Sequence, residues 1–233
     1  MPDPGPDPVP DPGPGGHRAR LRQRLLEAGP AALADHEMLE MLLFLALPRR
    51  DTKPVARALL ARFGSFAAAI AASPAALAAQ PGLGEAAIAA LKLAQAAALR
   101  LARAELHNRP LLDHWAAVEA YLAAALAREA VEQVRALFLD RRNHLLADEV
   151  LGTGSIDHAP VYPREVMRRA LELHTSALII VHNHPSGDPS PSAQDIAMTR
   201  ELMAAAKTLG IVLHDHLIVG NGRCASLRRL GLM

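Results

Sequence analysis

Between Ala177 and Asp195 the chain must pass from a buried strand, through a short loop, into a capped helix, and few folds offer that path. Ala177-Leu178-Ile179-Ile180-Val181 is short, apolar and rich in β-branched residues, so it reads as a buried strand. His182 and His184 follow two residues apart and therefore point the same way on an extended chain. Asn183 points to the opposite face and falls outside the expected site. Pro185 ends the strand, residues 187–191 form a loop, and Ser192 opens a helix whose first turn carries Asp195. Two imidazoles and a carboxylate can thus converge on one point. That is the donor set of a catalytic zinc, which takes three protein ligands and leaves its fourth position to water.

The same residues have a second reading. Ser192 followed three residues later by Asp195 is also a helix N-cap with an acid in the first turn, which stabilises a helix without metal. Histidines at alternate strand positions can be core residues. Buried imidazoles nevertheless need partners, and here an acidic helix start lies one short loop away. The pattern by itself leaves both readings open.

Along the rest of the chain, residues 1–16 repeat Pro, Asp and Gly and are expected to form a disordered or polyproline-like tail. Residues 17–107 are rich in alanine and leucine, with breaks at Gly29-Pro30, Pro48, Gly64, Ser73-Pro74 and Pro81-Gly82-Leu83-Gly84, which predicts a domain of short helices. Asn108-Arg109-Pro110 marks the expected boundary with a domain over 110–233. There the pattern predicts a helix over Trp115–Leu126 and strands over Val134–Leu139 and Leu145–Val150. A helix over Pro163–His174 comes next, then the motif itself, a strand over Ile211–Val219 and an Asn221-Gly222 hairpin. This is an α/β sandwich with a mixed sheet.

Composition narrows the function. A net charge of +1 gives no global field toward nucleic acid or membrane. Aromatics at 3% argue against base-stacking surfaces. The single Cys224 excludes an internal disulfide and a thiolate zinc site, and with them a cysteine-ligated nucleoside deaminase. The start lacks the apolar segment of an export signal, and Leu39–Leu47 is too short to span a bilayer, so the cytoplasm is the expected compartment. Gly82-Leu83-Gly84 resembles a helix-hairpin-helix, whose backbone amides can hold a phosphate. Between Ser65 and Glu105 its basic neighbours are Lys92, Arg100 and Arg103, thin support for DNA contact through the helical domain, so packing or partner docking is the favoured role.

His-x-His-Pro, a loop and Ser-x-x-Asp resemble the JAMM (MPN-type) metalloprotease motif. Ala159-Pro160-Val161-Tyr162-Pro163-Arg164-Glu165, His182 to Pro191 and Asp215-His216-Leu217-Ile218-Val219-Gly220 are similar to the bacterial RadC-like proteins. So are Leu42-Leu43-Phe44, Pro48 to Pro54 and Arg62-Phe63-Gly64. The resemblance implies the JAMM fold, itself similar to the cytidine deaminase fold. It also implies a zinc (Zn2+) hydrolase of amide or isopeptide bonds, acting on an unknown protein or peptide.

His182, His184 and Asp195 are then the expected metal ligands. Among carboxylates near the sheet, Glu165 and Glu172 share one helix and are expected to face solvent, whereas Glu149 ends a strand. By resemblance Glu149 is the general base and Ser192 the donor that steadies the oxyanion. His214 and His216 are again two apart on a strand, but no acidic helix start follows, so they are read as structural. The alternative function is a non-catalytic or DNA-processing accessory protein, in keeping with the historical link of RadC-like proteins to DNA repair.

Overall fold

A computed structural model describes residues 13–107, 110–154 and 161–233. Most of the expected Pro/Gly/Asp tail, the Asn108-Arg109 boundary and the Ala159-Pro160 part of the family motif lie outside the described residues. The chain forms two compact units, Met1–Ala96 and Ala97–Met233.

In the first unit six helices succeed one another: α1 (Gly13–Ala28), α2 (Asp35–Ala46), α3 (Lys53–Phe63), α4 (Phe66–Ala71), α5 (Pro74–Ala78) and the start of α6 (Glu85–His107). Ser65 and Ser73 cap α4 and α5 by accepting the Ala68 and Ala76 amides, as short hydroxyl residues at helix starts should. Leu39, Leu43, Leu59, Leu77 and Leu91 form the core. At the Gly82-Leu83-Gly84 turn Leu83 joins that core, and Arg50 donates to the Gly82 carbonyl at 3.1 Å. Two expectations shift here. Helix begins at Gly13 rather than after residue 16, and the units divide inside α6 rather than near residue 108. Leu99, Ala102 and Leu106 of α6 pack into the core of the second unit, which moves the division upstream.

The second unit is the expected α/β sandwich. After α7 (Trp115–Leu126) come β1 (Gln133–Leu139), β2 (Leu145–Thr153), α8 (Pro163–Glu172), β3 (Ala177–Asn183), α9 (Ala193–Thr208), β4 (Val212–Gly220) and β5 (Arg223–Ser226). The sheet order is β2-β1-β3-β4-β5, with β3 and β4 parallel and the other neighbours antiparallel. Every residue of the central strand β3 is buried. Its run of Leu, Ile and Val is explained by cover on both faces. Ile179 and Val181 meet Val118, Leu122 and Leu126 of α7, while Leu178 and Ile180 meet Val166, Ala170, Leu202 and Ala206 of α8 and α9. Each such side chain contributes about 1.5–3 kcal/mol by leaving water. Among the described residues no helix is long and apolar enough to cross a membrane.

Candidate metal centre

Strand β3 delivers His182 and His184 on the face covered by α8 and α9, and the start of α9 delivers Asp195 beside them. The placement is built in three steps. The antiparallel and parallel ladders fix β3 on both sides. The loop after it is then held against the β4–β5 turn by close backbone approach. A Cβ on Gly220 would stand 2.6 Å from the Gly187 carbonyl oxygen, and one on Gly187 would stand 2.4 Å from the Asn221 side-chain nitrogen. Gly187 also has φ +87°, so glycine is required there twice over. Finally Ser192 caps α9 in a capping box. Its hydroxyl oxygen accepts the Asp195 amide at 3.1 Å, and Asp195 Oδ2 accepts the Ser192 amide at 2.7 Å.

The cap and the metal site are therefore the same construction. Ser192 Oγ also donates to Asp195 Oδ2 at 2.7 Å, so the serine hydroxyl orients the carboxylate. His182 Nε2 lies 3.0 Å from His184 Nε2 and 3.2 Å from Asp195 Oδ1, and His184 Nε2 lies 3.5 Å from Asp195 Oδ2. Ligand atoms about 2.0–2.1 Å from a tetrahedral zinc stand roughly 3.3 Å apart, so the three donors already have the spacing of such a face. Burial pushes the Asp195 carboxyl up, but the hydrogen bond and charge of His182 and the bonds from Ser192 outweigh it, and the group stays ionised far below the usual carboxylate range.

Outer contacts set the imidazoles. His184 Nδ1 sits 2.7 Å from the Asp188 carbonyl oxygen, which can only accept, so that nitrogen carries the proton and Nε2 presents a lone pair. His182 Nδ1 sits 2.8 Å from His216 Nε2, and His216 Nδ1 sits 2.6 Å from Thr199 Oγ1. Burial, followed by the charge of His182, pushes His216 down to about 3, so its ring is neutral. The residues present fit a divalent cation. His182, His184 and Asp195 form a group that can hold a metal ion.

The remaining expected residues fall elsewhere. Glu149 is not brought to the cluster. It pairs with Ala136, which pairs with Ile180, so it lies two strands away from β3 and short of the His182 row. Its carboxylate receives Arg169 Nη2 at 2.6 Å and Nε at 2.8 Å, and these bonds and the charge of Arg169 lower its pKa. With Arg169, Tyr162 and Val166 it lines a groove of about 500 Å³ between β2 and α8. Glu165 and Glu172 are exposed and paired to Arg168. His214 bonds Asn143 at 2.7 Å.

A further buried carboxylate, Glu132, stands just ahead of β1. The β1–β3 ladder ends with Val134 opposite His182, and Glu132 lies two residues beyond that pair. Alternation puts its side chain on the face of Val134 and the two histidines. Glu132 is buried, at 9% exposure, and its carbonyl accepts the Gly154 amide, so the chain there is extended against β2. Asn183 holds the other side: its Oδ1 accepts the Gln133 amide at 2.9 Å, and its Nδ2 donates to the Val131 carbonyl at 3.1 Å. The motif asparagine thereby brackets Glu132.

Strand order, a mixed sheet covered on both faces and a His-x-His plus Asp cluster at the start of α9 define a JAB-type α/β domain. A family model for the RadC-like JAB domain matches residues 112–232. A UPF0758 protein of Rhodobacter capsulatus is 55% identical over 213 residues, which is 91% of this chain and all of that relative. The chain belongs to the bacterial RadC-like family.

Proposed function

We propose that the protein is a zinc-dependent hydrolase that cleaves an amide or isopeptide bond in a protein or peptide. One observation carries this reading. His182 Nε2 and His184 Nε2 lie 3.0 Å apart, with the Asp195 carboxylate oxygens 3.2 and 3.5 Å away, an arrangement that a cation satisfies. Nitrogen and oxygen donors without thiolate suit zinc. Zinc bound there supplies Lewis acidity, acidifying a water and polarising a carbonyl oxygen. Glu132, two residues beyond the Val134–His182 pair, takes the proton from the attacking water and returns it to the leaving nitrogen as the C–N bond breaks. Asn183 keeps Glu132 at that post. Ser192 retains its expected part as donor to the oxyanion, by turning its hydroxyl from Asp195 Oδ2 to the new negative oxygen.

Purified without chelator, the protein is expected to carry close to one zinc per chain. Glu132→Gln is expected to keep the zinc and to retain substrates in a trapping screen against isopeptide-linked and linear peptides. On a substrate so found it should lose about 10²–10⁴ of turnover, whereas Glu149→Gln should turn over normally. The reverse pattern would return the base to Glu149. A chain that binds no zinc and turns nothing over would leave the accessory reading in its place.

A further inference from the structure

We infer that Thr199 and His216 are positioning residues that hold the His182 ring by its Nδ1–H, so that Nε2 is the atom turned toward the cluster. The inference rests on the reading of His182 as a ligand, and it concerns residues behind the cluster rather than in it.

The parallel register pairs Ile180 with His216 and His182 with Ile218, so His216 stands diagonally beside His182 on the same face of the sheet. Thr199 follows Asp195 by one helical turn on α9 and shares its buried side. The proton directions follow from the far end of the chain of contacts. Thr199 Oγ1 lies 2.6 Å from the Asp195 carbonyl oxygen. A carbonyl cannot donate, so the one hydroxyl proton goes there. Thr199 Oγ1 can then only accept from His216, and His216 Nδ1 must carry a proton. His216 is 0% exposed, and its ring nitrogens meet a hydroxyl and another imidazole, so a second proton would bury an uncompensated charge. Its Nε2 is therefore an acceptor and receives the proton of His182 Nδ1. With its Nδ1–H given to His216, the His182 ring is turned so that Nε2 faces His184 Nε2 at 3.0 Å and Asp195 Oδ1 at 3.2 Å, the nitrogen a cation would take.

The relay does more than orient one ring. It starts at the backbone of Asp195 and ends on His182, so the helix-borne donor and the strand-borne donor are tied by three hydrogen bonds. Groups of this kind behind a metal ligand typically change affinity by roughly 10–100-fold when removed.

The test uses the whole chain with ¹⁵N-labelled histidine. In metal-free protein, long-range ¹H–¹⁵N spectra should show a proton on Nδ1 of both His182 and His216. Thr199→Val, which keeps the shape and removes the hydroxyl, should scramble both tautomers. It should also weaken zinc roughly 10–100-fold in competition with a chromophoric chelator. Thr199→Ser should restore both readouts. A wild-type His182 or His216 without a proton on Nδ1 would overturn the inference, as would unchanged ring protons and zinc affinity in Thr199→Val. If Thr199→Val does not fold, the wild-type spectrum decides alone. Wild-type protein that shows the expected tautomers but takes up no zinc would sustain the relay and sink the metal reading instead.

Discussion

The sheet of the second unit carries a buried polar cluster on each face, and the two are finished differently. On the α7 face Asp148 receives the Tyr121 hydroxyl and the Arg135 Nε at 2.9 Å, with Arg135 Nη2 2.8 Å from the same oxygen. Burial and then the Asp148 hydrogen bond push the Tyr121 hydroxyl up to about 12, so it remains a donor. Charge is cancelled within the cluster, and each donor has its acceptor. On the α8–α9 face the outer nitrogens of His182 and His184 are equally well satisfied, but their Nε2 atoms and the Asp195 carboxylate converge on one point, 3.0 to 3.5 Å apart. A closed cluster of the first kind holds a fold together. A cluster closed outside and open inside is held ready for a cation. The difference lies in protonation and charge rather than in burial, since Asp148 and His182 are both inaccessible.

The two clusters should therefore fail in opposite ways. Removing one inner donor, His184→Ala, is expected to abolish zinc binding. Metal-free stability should change by about 1 kcal/mol, the ordinary cost of a point substitution. In wild type, zinc at a hundredfold over its Kd should raise stability by about 2.7 kcal/mol, and in this variant by nothing. Metal analysis and urea unfolding with and without zinc read both quantities. Equal zinc in wild type and His184→Ala would break the comparison at once.

Asp148→Ala is the matching cut on the other face. It leaves Arg135 without its counter-charge and Tyr121 without its acceptor, and breaking a buried pair from one side typically costs about 3–5 kcal/mol. Whatever folded protein remains should still take up one zinc per chain. A variant of near wild-type stability would show that the α7-face cluster is not structural, and the contrast between the faces would go with it.

Sequence legibility follows the same division between local and long-range causes. The strand before the motif, the capped start of α9 and the convergence of His182, His184 and Asp195 follow from alternation, a proline and a capping box, all within one short stretch. Glu132 was not legible that way. It precedes β1 with no pattern of its own, and only the pairing of β1 with β3 brings that end of β1 to the His182 row. Glu149 is the residue that matches the family's base, but strand pairing sets it opposite Ala136, two strands from β3, and within reach of Arg169. His216 was read as structural because nothing acidic follows it. Its neighbour His182 lies 34 residues upstream, and the parallel ladder joins them. The unit division inside α6 is invisible for a related reason: the helix continues unbroken past Ala96, and only its packing partners change.

The smallest expected effect belongs to the groove that holds Glu149. Its side chain is 32% exposed and that of Arg169 35%, so solvent screens the pair, and Glu149→Gln should be the mildest substitution of the set. Its pH dependence has a definite sign. The Arg169 hydrogen bonds and charge lower the folded-state pKa of Glu149 below its ordinary value. Between the two values the unfolded chain binds more protons than the folded one, so the contribution is full at neutral pH, shrinks below about pH 4, and is gone once the folded carboxylate is protonated. Urea midpoints of wild type and Glu149→Gln should thus differ slightly at pH 7 and converge as the pH falls, with zinc content equal throughout. A gap that widens on acidification, or zinc lost with the substitution, would place Glu149 in the open cluster after all.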